Sequence, residues 1–307
     1  MNANQEQKTV ESIKKVSSEY TPYLALALCW KDQGQTGLFY DKVPASFARH
    51  PCDLFDKENG NREEWKNLTG YKVDNCKDML PKKAKCLRNN IAGGLQVSNF
   101  GRVGIPIKCK GKSGFCKGCE GCALSERTVS IALEENKPES IDKCTKFHFI
   151  LPQYEKCSWN EEEEKFIDYN GSLMVDIKTK EENWKGETIK IEKIRVYHLV
   201  AEAFKMKEST LKYLKEENPN LITYINEIID ETVNKEALKK EAIEELNKAI
   251  ETLRKGETIS LQIHHIDNNG HHNTPTYWDE NEKMIRGNLI ALPESVHKKI
   301  HKIKNSS

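Results

Sequence analysis

Six of the nine histidines in this 307-residue chain lie between His264 and His301, and their spacing leaves few ways to fold the segment that carries them. A β-like run from Ile259 to Ile263 ends in the pair His264-His265, and a polar loop follows. Asn288 opens a second short apolar run, Leu289 to Leu292, and a helix-like tail then sets His297 and His301 four apart, on one face. The pattern reads strand, loop, strand, helix. Neighbouring residues of a strand point to opposite sides, so His264 and His265 cannot share one task. One can ligate a metal while the other faces a substrate. Imidazoles at i and i+4 of a helix can add ligands. A side-chain amide at Asn288 can bind a loop carbonyl and fix the geometry between His265 and the helix. Hydrolysis of a phosphodiester needs a metal and a base close together, and this segment can supply both.

The rest of the chain bounds where such chemistry sits. At 307 residues it can bury a substantial core, as one large domain or two small ones. Its longest apolar run, Tyr23 to Trp30, is too short to span a bilayer, so no membrane is expected. Met1 to Gln7 lacks the apolar stretch of a signal peptide. The ten cysteines are therefore expected in a reducing cytoplasm, where clustered thiols point to metal rather than disulfides. Net charge is only +1, yet Trp65 to Arg127 holds 13 Lys or Arg against four acids. That excess suits either a phosphate-facing surface or a solubilising one.

Three regions are expected. Residues 1–60 form an N-terminal segment of unknown role. Residues 61–160 form a second, basic region with a Cys-rich metal loop, for which the family likeness given below implies a modular DNA-binding role. Residues 161–307 carry the histidine constellation, interrupted by a helical insert at 209–255. Alternation in KFHFIL, GSLMVDIK and ETIKIEKIRVYHLV predicts strands, and VAEAF a short helix. In the insert, Ser209 reads as an N-cap and Asn218-Pro219 as a break. Ile225, Ile228 and Ile229 mark one apolar stripe, and Leu238, Ile243, Leu246, Ile250 and Leu253 another. Stripes this narrow suit an ordinary surface hairpin or a dimerisation arm, so a homodimer stays an open expectation. The fold class is α+β.

His264-His265, Asn288, His297 and His301, in that order and spacing, resemble the HNH, or ββα-metal, nuclease superfamily. The resemblance implies His264 and His297 as metal ligands, His265 as general base and Asn288 as the orienting Asn. His301 looks like the extra helix histidine of colicin-type members. EEWKNLTGY and LQVSNFGRVG resemble the nuclease-associated modular domain that precedes the catalytic motif in phage and homing-type HNH endonucleases, and IRVYHLVAEAF resembles the joining segment. By that likeness Arg102, Arg195 and His198 are candidate DNA contacts. It implies a bacterial or phage-encoded protein using Mg²⁺ or Mn²⁺. The chain departs from the pattern in places. The gap between His265 and Asn288 is long, and homing enzymes commonly carry Asp where His264 stands and Asn where His297 stands. An all-imidazole set is softer and suits Mn²⁺, Co²⁺ or Ni²⁺ beside Mg²⁺.

KCKGKSGFCKGCEGC places Cys109, Cys116, Cys119 and Cys122 within 14 residues. Thiolates at this density favour tetrahedral Zn²⁺ in a structural role. An iron–sulfur cluster and free thiols are the alternatives, and Cys144 or Cys157 can replace one of the four. Cys29, Cys52, Cys76 and Cys86 default to free thiols.

The expected function is site-specific, metal-dependent hydrolysis of double-stranded DNA to 5′-phosphate and 3′-hydroxyl ends, in a restriction or homing role. A non-catalytic zinc-dependent nucleic-acid-binding protein and a nonspecific toxin-like nuclease are the competing readings.

Overall fold

The computed structural model describes residues 55–56, 61–71, 73–80, 88–107, 146–150, 152–155, 158–160, 165–167, 171–183 and 186–301. The Cys109, Cys116, Cys119 and Cys122 loop and nearly all of the N-terminal segment lie outside them. The architecture is mixed α+β, with small antiparallel sheets and, among the described residues, six helices. The chain forms two compact units, Met1–Leu199 and Val200–Ser307.

In the first unit, β1 (Phe55–Asp56) pairs with β2 (Asn61–Arg62). A four-stranded antiparallel sheet runs β3 (Trp65–Asn67), β4 (Gln96–Ser98), β5 (Val103–Ile107), β6 (Lys146–Ile150). Helix α1 (Val73–Met79) lies between β3 and β4 in the chain. The SNFGR segment makes the β4–β5 turn because Gly101 takes φ 76°, a left-handed conformation that favours glycine. The Ser98 hydroxyl accepts the amides of Phe100 and Arg102 across that turn. Val97, Val103, Ile105 and Ile107 fill the core beneath.

A second sheet orders β11, β10, β7, with β7 at Gln153–Tyr154, β10 at Leu173–Asn183 and β11 at Gly186–Arg195. The short pair β8 (Ser158–Asn160) and β9 (Lys165–Ile167) stands apart from it in the pairing scheme. The alternation that predicts a strand through Val200 stops at Arg195, where helix α2 (Val196–Ala203) begins. Val196, Leu199 and Val200 are buried at three- and four-residue steps, so helical burial takes over from the strand period.

The second unit carries α3 (Met206–Lys215), α4 (Pro219–Thr232) and α5 (Glu236–Arg254). Ser209 lies inside α3 rather than capping it; the preceding Lys205 has φ 49° and breaks the chain direction instead. Asn218 accepts the amides of Asn220 and Leu221, and Pro219 holds the first helical position, so this dipeptide starts α4. Gly256, at φ 78°, ends α5.

Strand β12 (Leu261–His265) pairs antiparallel with β15 (Leu289–Pro293), and α6 (Glu294–His301) follows at once. Between them β13 (Tyr277–Trp278) pairs with β14 (Met284–Ile285). Leu221, Ile225, Ile228 and Ile229 of α4 and Leu246, Ile250 and Leu253 of α5 share one core with Ile290 and Leu292 of β15 and Val296 and Ile300 of α6. Each such side chain stabilises by roughly 1.5–3 kcal/mol when fully buried. The stripes expected on a surface hairpin or a dimerisation arm are thus packed mostly inside the second unit. These stripes lie against β15 and the histidine-bearing helix α6, with Ile243 left 38% exposed. No helix among the described residues is long and apolar enough to cross a membrane.

Candidate metal centre

Helix α6 presents two neighbouring stripes. Val296 and Ile300 point into the core, and His297 and His301, one residue further round, lie over β12. Strand alternation turns His264 to the same place. His264 Nδ1 stands 3.1 Å from His301 Nε2. The ring centroids are 5.4 Å apart for His264 and His297, 5.0 Å for His264 and His301, and 4.4 Å for His297 and His301. Each ring offers a nitrogen, and these nitrogens lie within 4.8 Å of one another. Tetrahedral bonds of about 2.1 Å put donor nitrogens about 3.4 Å apart. The 3.1 Å between His264 Nδ1 and His301 Nε2 is within about 0.3 Å of that figure. The widest separation needs to close by at most ~1.4 Å.

The protonation state also fits. Burial, and then the neighbouring His301, push the pKa of His297 down to about 4, against a smaller opposing effect of Glu294. It is a neutral imidazole at ordinary pH, the form that ligates a cation. His264 is 1% exposed and His297 and His301 are partly exposed, so the cluster opens to one side. These three histidines could hold a metal ion.

His265 points to the other side of β12. Burial lowers its pKa more than Asn273 and Asp267 raise it. Its Nε2 lies 3.3 Å from Oδ1 of Asn273, and the Asn273 amide donates to the His271 carbonyl at 3.3 Å. Asn288 spans the loop: its Oδ1 accepts the Asp267 amide at 3.0 Å and its Nδ2 donates to the His272 carbonyl at 2.8 Å. Asp267 accepts the Asn269 amide at 2.7 Å and pairs with His272. Partial burial alone would raise the Asp267 carboxyl, but the His272 and Asn269 hydrogen bonds hold it below its ordinary value. Asp267 therefore braces the loop and stands outside the metal-ready group.

The sequence reading missed the residues that grip Asn288 from behind. The Tyr224 hydroxyl of α4 donates to the Gly287 carbonyl at 3.1 Å. A Cβ on Gly287 would meet the Pro275 carbonyl oxygen at 2.3 Å, so the two backbones touch only because residue 287 is glycine. Thr274 accepts the Asn288 amide through its hydroxyl at 3.0 Å. No periodicity marks Asn273, Thr274 or Tyr224 as parts of one site; Gly287 directly before Asn288 is the one legible signal.

The candidate DNA contacts divide. Arg102 is corrected. It is 1% exposed, forms a two-pronged ion pair with buried Glu63, and packs over the rings of Trp65 and Phe149 at 5.4 and 4.7 Å. A guanidinium so enclosed cannot reach a phosphate, and it instead ties β3 to the β4–β5 turn. Arg195 is partly exposed but bonded to Glu155 at 2.9 Å and to the Tyr197 hydroxyl at 3.4 Å. His198 is exposed, with its ring 4.2 Å from that of Tyr197. Cys76 is a buried free thiol whose pKa burial pushes up to about 11 against a backbone hydrogen bond from Leu95, so it is unreactive at neutral pH. Comparison of the chain with protein-family models, curated proteins and solved structures gives no match.

Proposed function

We propose that this protein is a metal-dependent DNA endonuclease of the HNH kind, with β12, β15 and α6 as its ββα-metal unit. One observation carries the reading. A cluster of three imidazoles and a separate, fixed imidazole occupy adjacent positions of one strand, His264 in the cluster and His265 outside it. A purely structural zinc site closes on four protein donors. Among the described residues this group has three, which leaves room for a substrate oxygen. Three imidazoles suit borderline ions such as Co²⁺, Ni²⁺ or Zn²⁺ better than the harder Mn²⁺ and Mg²⁺.

The chain's residues divide the work. His264, His297 and His301 would hold the ion. When bound, it supplies Lewis-acid stabilisation of charge on the scissile phosphate. His265, neutral because it is partly buried, takes a proton from the attacking water. The water oxygen bonds to phosphorus, the P–O3′ bond breaks, and the 3′-oxygen leaves with the electron pair and takes a proton from solvent, to which His265 later returns its own. Products carry 5′-phosphate and 3′-hydroxyl ends. Asn288 holds the loop so that His265 keeps its orientation.

The test is incubation of plasmid DNA with the protein in Mn²⁺, Mg²⁺, Co²⁺ and Ni²⁺, followed by sequencing of the ends. Metal-dependent cleavage with the stated ends is expected, and His265→Ala should abolish cleavage while DNA binding persists. Absence of cleavage in every metal, with DNA still bound, would favour the non-catalytic nucleic-acid-binding reading.

A further inference from the structure

Asn273 is 1% exposed, inside a loop that is otherwise polar and partly open. A buried amide must find partners for both of its ends. One end faces the His271 carbonyl, which can only accept, so that end is the NH₂ group. The other end, Oδ1, therefore faces Nε2 of His265 at 3.3 Å. An oxygen acceptor there requires a hydrogen on Nε2. In the neutral ring the lone pair then sits on Nδ1.

We infer that Asn273 fixes His265 in its Nε2–H tautomer, and thereby makes Nδ1 the nitrogen that receives the proton. The tautomer follows from the geometry alone; its consequence for cleavage rests on the nuclease reading above. Asn273 does not touch the reacting atoms, so it is a positioning residue. Its donor side also fixes its own orientation, because a flipped amide would set NH₂ against Nε2 and oxygen against a carbonyl. Asn288 and Asn273 thus have separate tasks. The first ties the loop backbone at Asp267 and His272, and the second sets the hydrogen of one side chain.

The experiment uses full-length protein with ¹⁵N-labelled histidine at pH 8, where neutral rings report their tautomers through long-range proton–nitrogen correlations. His265 is assigned by its loss in His265→Ala. Wild type should show the Nε2–H form. Asn273→Leu should mix the two forms and lower kcat for DNA cleavage by about tenfold or more with KM unchanged. Asn273→Asp keeps an oxygen toward Nε2 but loses the donor to His271, and should retain the wild-type tautomer. If Asn273 were only a loop brace acting through its NH₂ group, the Asp and Leu variants would behave alike, which overturns the inference. An Nδ1–H form in wild type overturns it too, and that reading stands even if the Leu variant fails to fold. If wild type cleaves no DNA yet the tautomer responds as described, the nuclease reading fails and the role of Asn273 survives.

Discussion

An ion held by the three histidines would link β12 to α6, because His264 belongs to the strand and His297 and His301 to the helix. Such an ion binds the folded chain and not the unfolded one, so it stabilises by RT ln(1 + [L]/Kd), ~2.7 kcal/mol at a concentration 100 times Kd. The unit from Val200 to Ser307 is about a hundred residues long, and a domain of that size moves its midpoint by about 4–8 °C per kcal/mol. The expected rise is therefore roughly 10–20 °C. The perturbation is His297→Ala, which removes a partly exposed ring while Val296 and Ile300 keep the helix seated in the core. Thermal melts of chelator-treated protein at pH 7.5 would be repeated with Zn²⁺, Ni²⁺, Co²⁺, Mn²⁺ and Mg²⁺. The readout is the metal-induced shift within each variant. The variant's own loss of stability then cancels, and any zinc taken up by the cysteine loop contributes equally to both. Wild type should rise most with the borderline ions and least with Mg²⁺, and His297→Ala should lose most of that rise. Equal shifts in the two proteins, for every ion, would refute the triad as the binding site.

Four further outcomes follow from the same geometry. The metal-free protein should lose stability as pH falls from 6.5 toward 4, since His297 titrates at its ordinary value when unfolded but only near 4 when folded. Over that window the unfolded chain binds the extra proton, and the loss is on the order of 1–2 kcal/mol after allowing for solvent screening of a half-buried ring, measurable by urea melts at each pH. Asn288→Ala should cost about 1–3 kcal/mol, because the Asp267 amide and the His272 carbonyl lose their shared partner; hydrogen exchange at Asp267 should rise. Gly287→Ala should cost about 2 kcal/mol or more in a urea melt, since the new methyl meets backbone oxygen at Pro275 and Thr274. Arg102→Ala should destabilise its unit by about 3–5 kcal/mol by removing the guanidinium that faces the buried Glu63 carboxylate, whereas a binding-surface arginine would change DNA affinity with little effect on melting.

How much of this was legible depended on whether a signal was periodic. The strand pair and terminal helix could be read because His264-His265 ends an apolar run and His297 and His301 are one turn apart, and both patterns survive any packing context. The role of the helices at 206–254 could not. Their stripes show that an apolar face exists, but burial against Ile290, Leu292, Val296 and Ile300 is a long-range fact that no local window contains. Arg102 misled for the opposite reason. Its place in a segment resembling a DNA-binding module pointed to a DNA contact, and only the fold brings Glu63 from 39 positions away to enclose it. Asn273 was invisible because a buried loop amide looks like any other loop asparagine until its partners are placed.

The packing of α4 and α5 bears on the site itself. Without them, β12, β15 and α6 would expose Ile290, Leu292, Val296 and Ile300 together, an apolar surface that so small a unit cannot cover. With them, the strand–helix angle that brings His264 to His297 and His301 is set by that shared core, and Tyr224 carries the same constraint to the turn before Asn288. The helices at 209–255 are thus the support that aims the imidazoles. A cavity in that shared core, such as Ile225→Ala, should then weaken metal binding without touching a ligand. It should cost about 2–5 kcal/mol of stability. Its effect on metal affinity, measured by titration calorimetry below the melting point, separates the two roles. Unchanged affinity in a folded Ile225→Ala protein would mean the helices stabilise the unit without aiming its ligands.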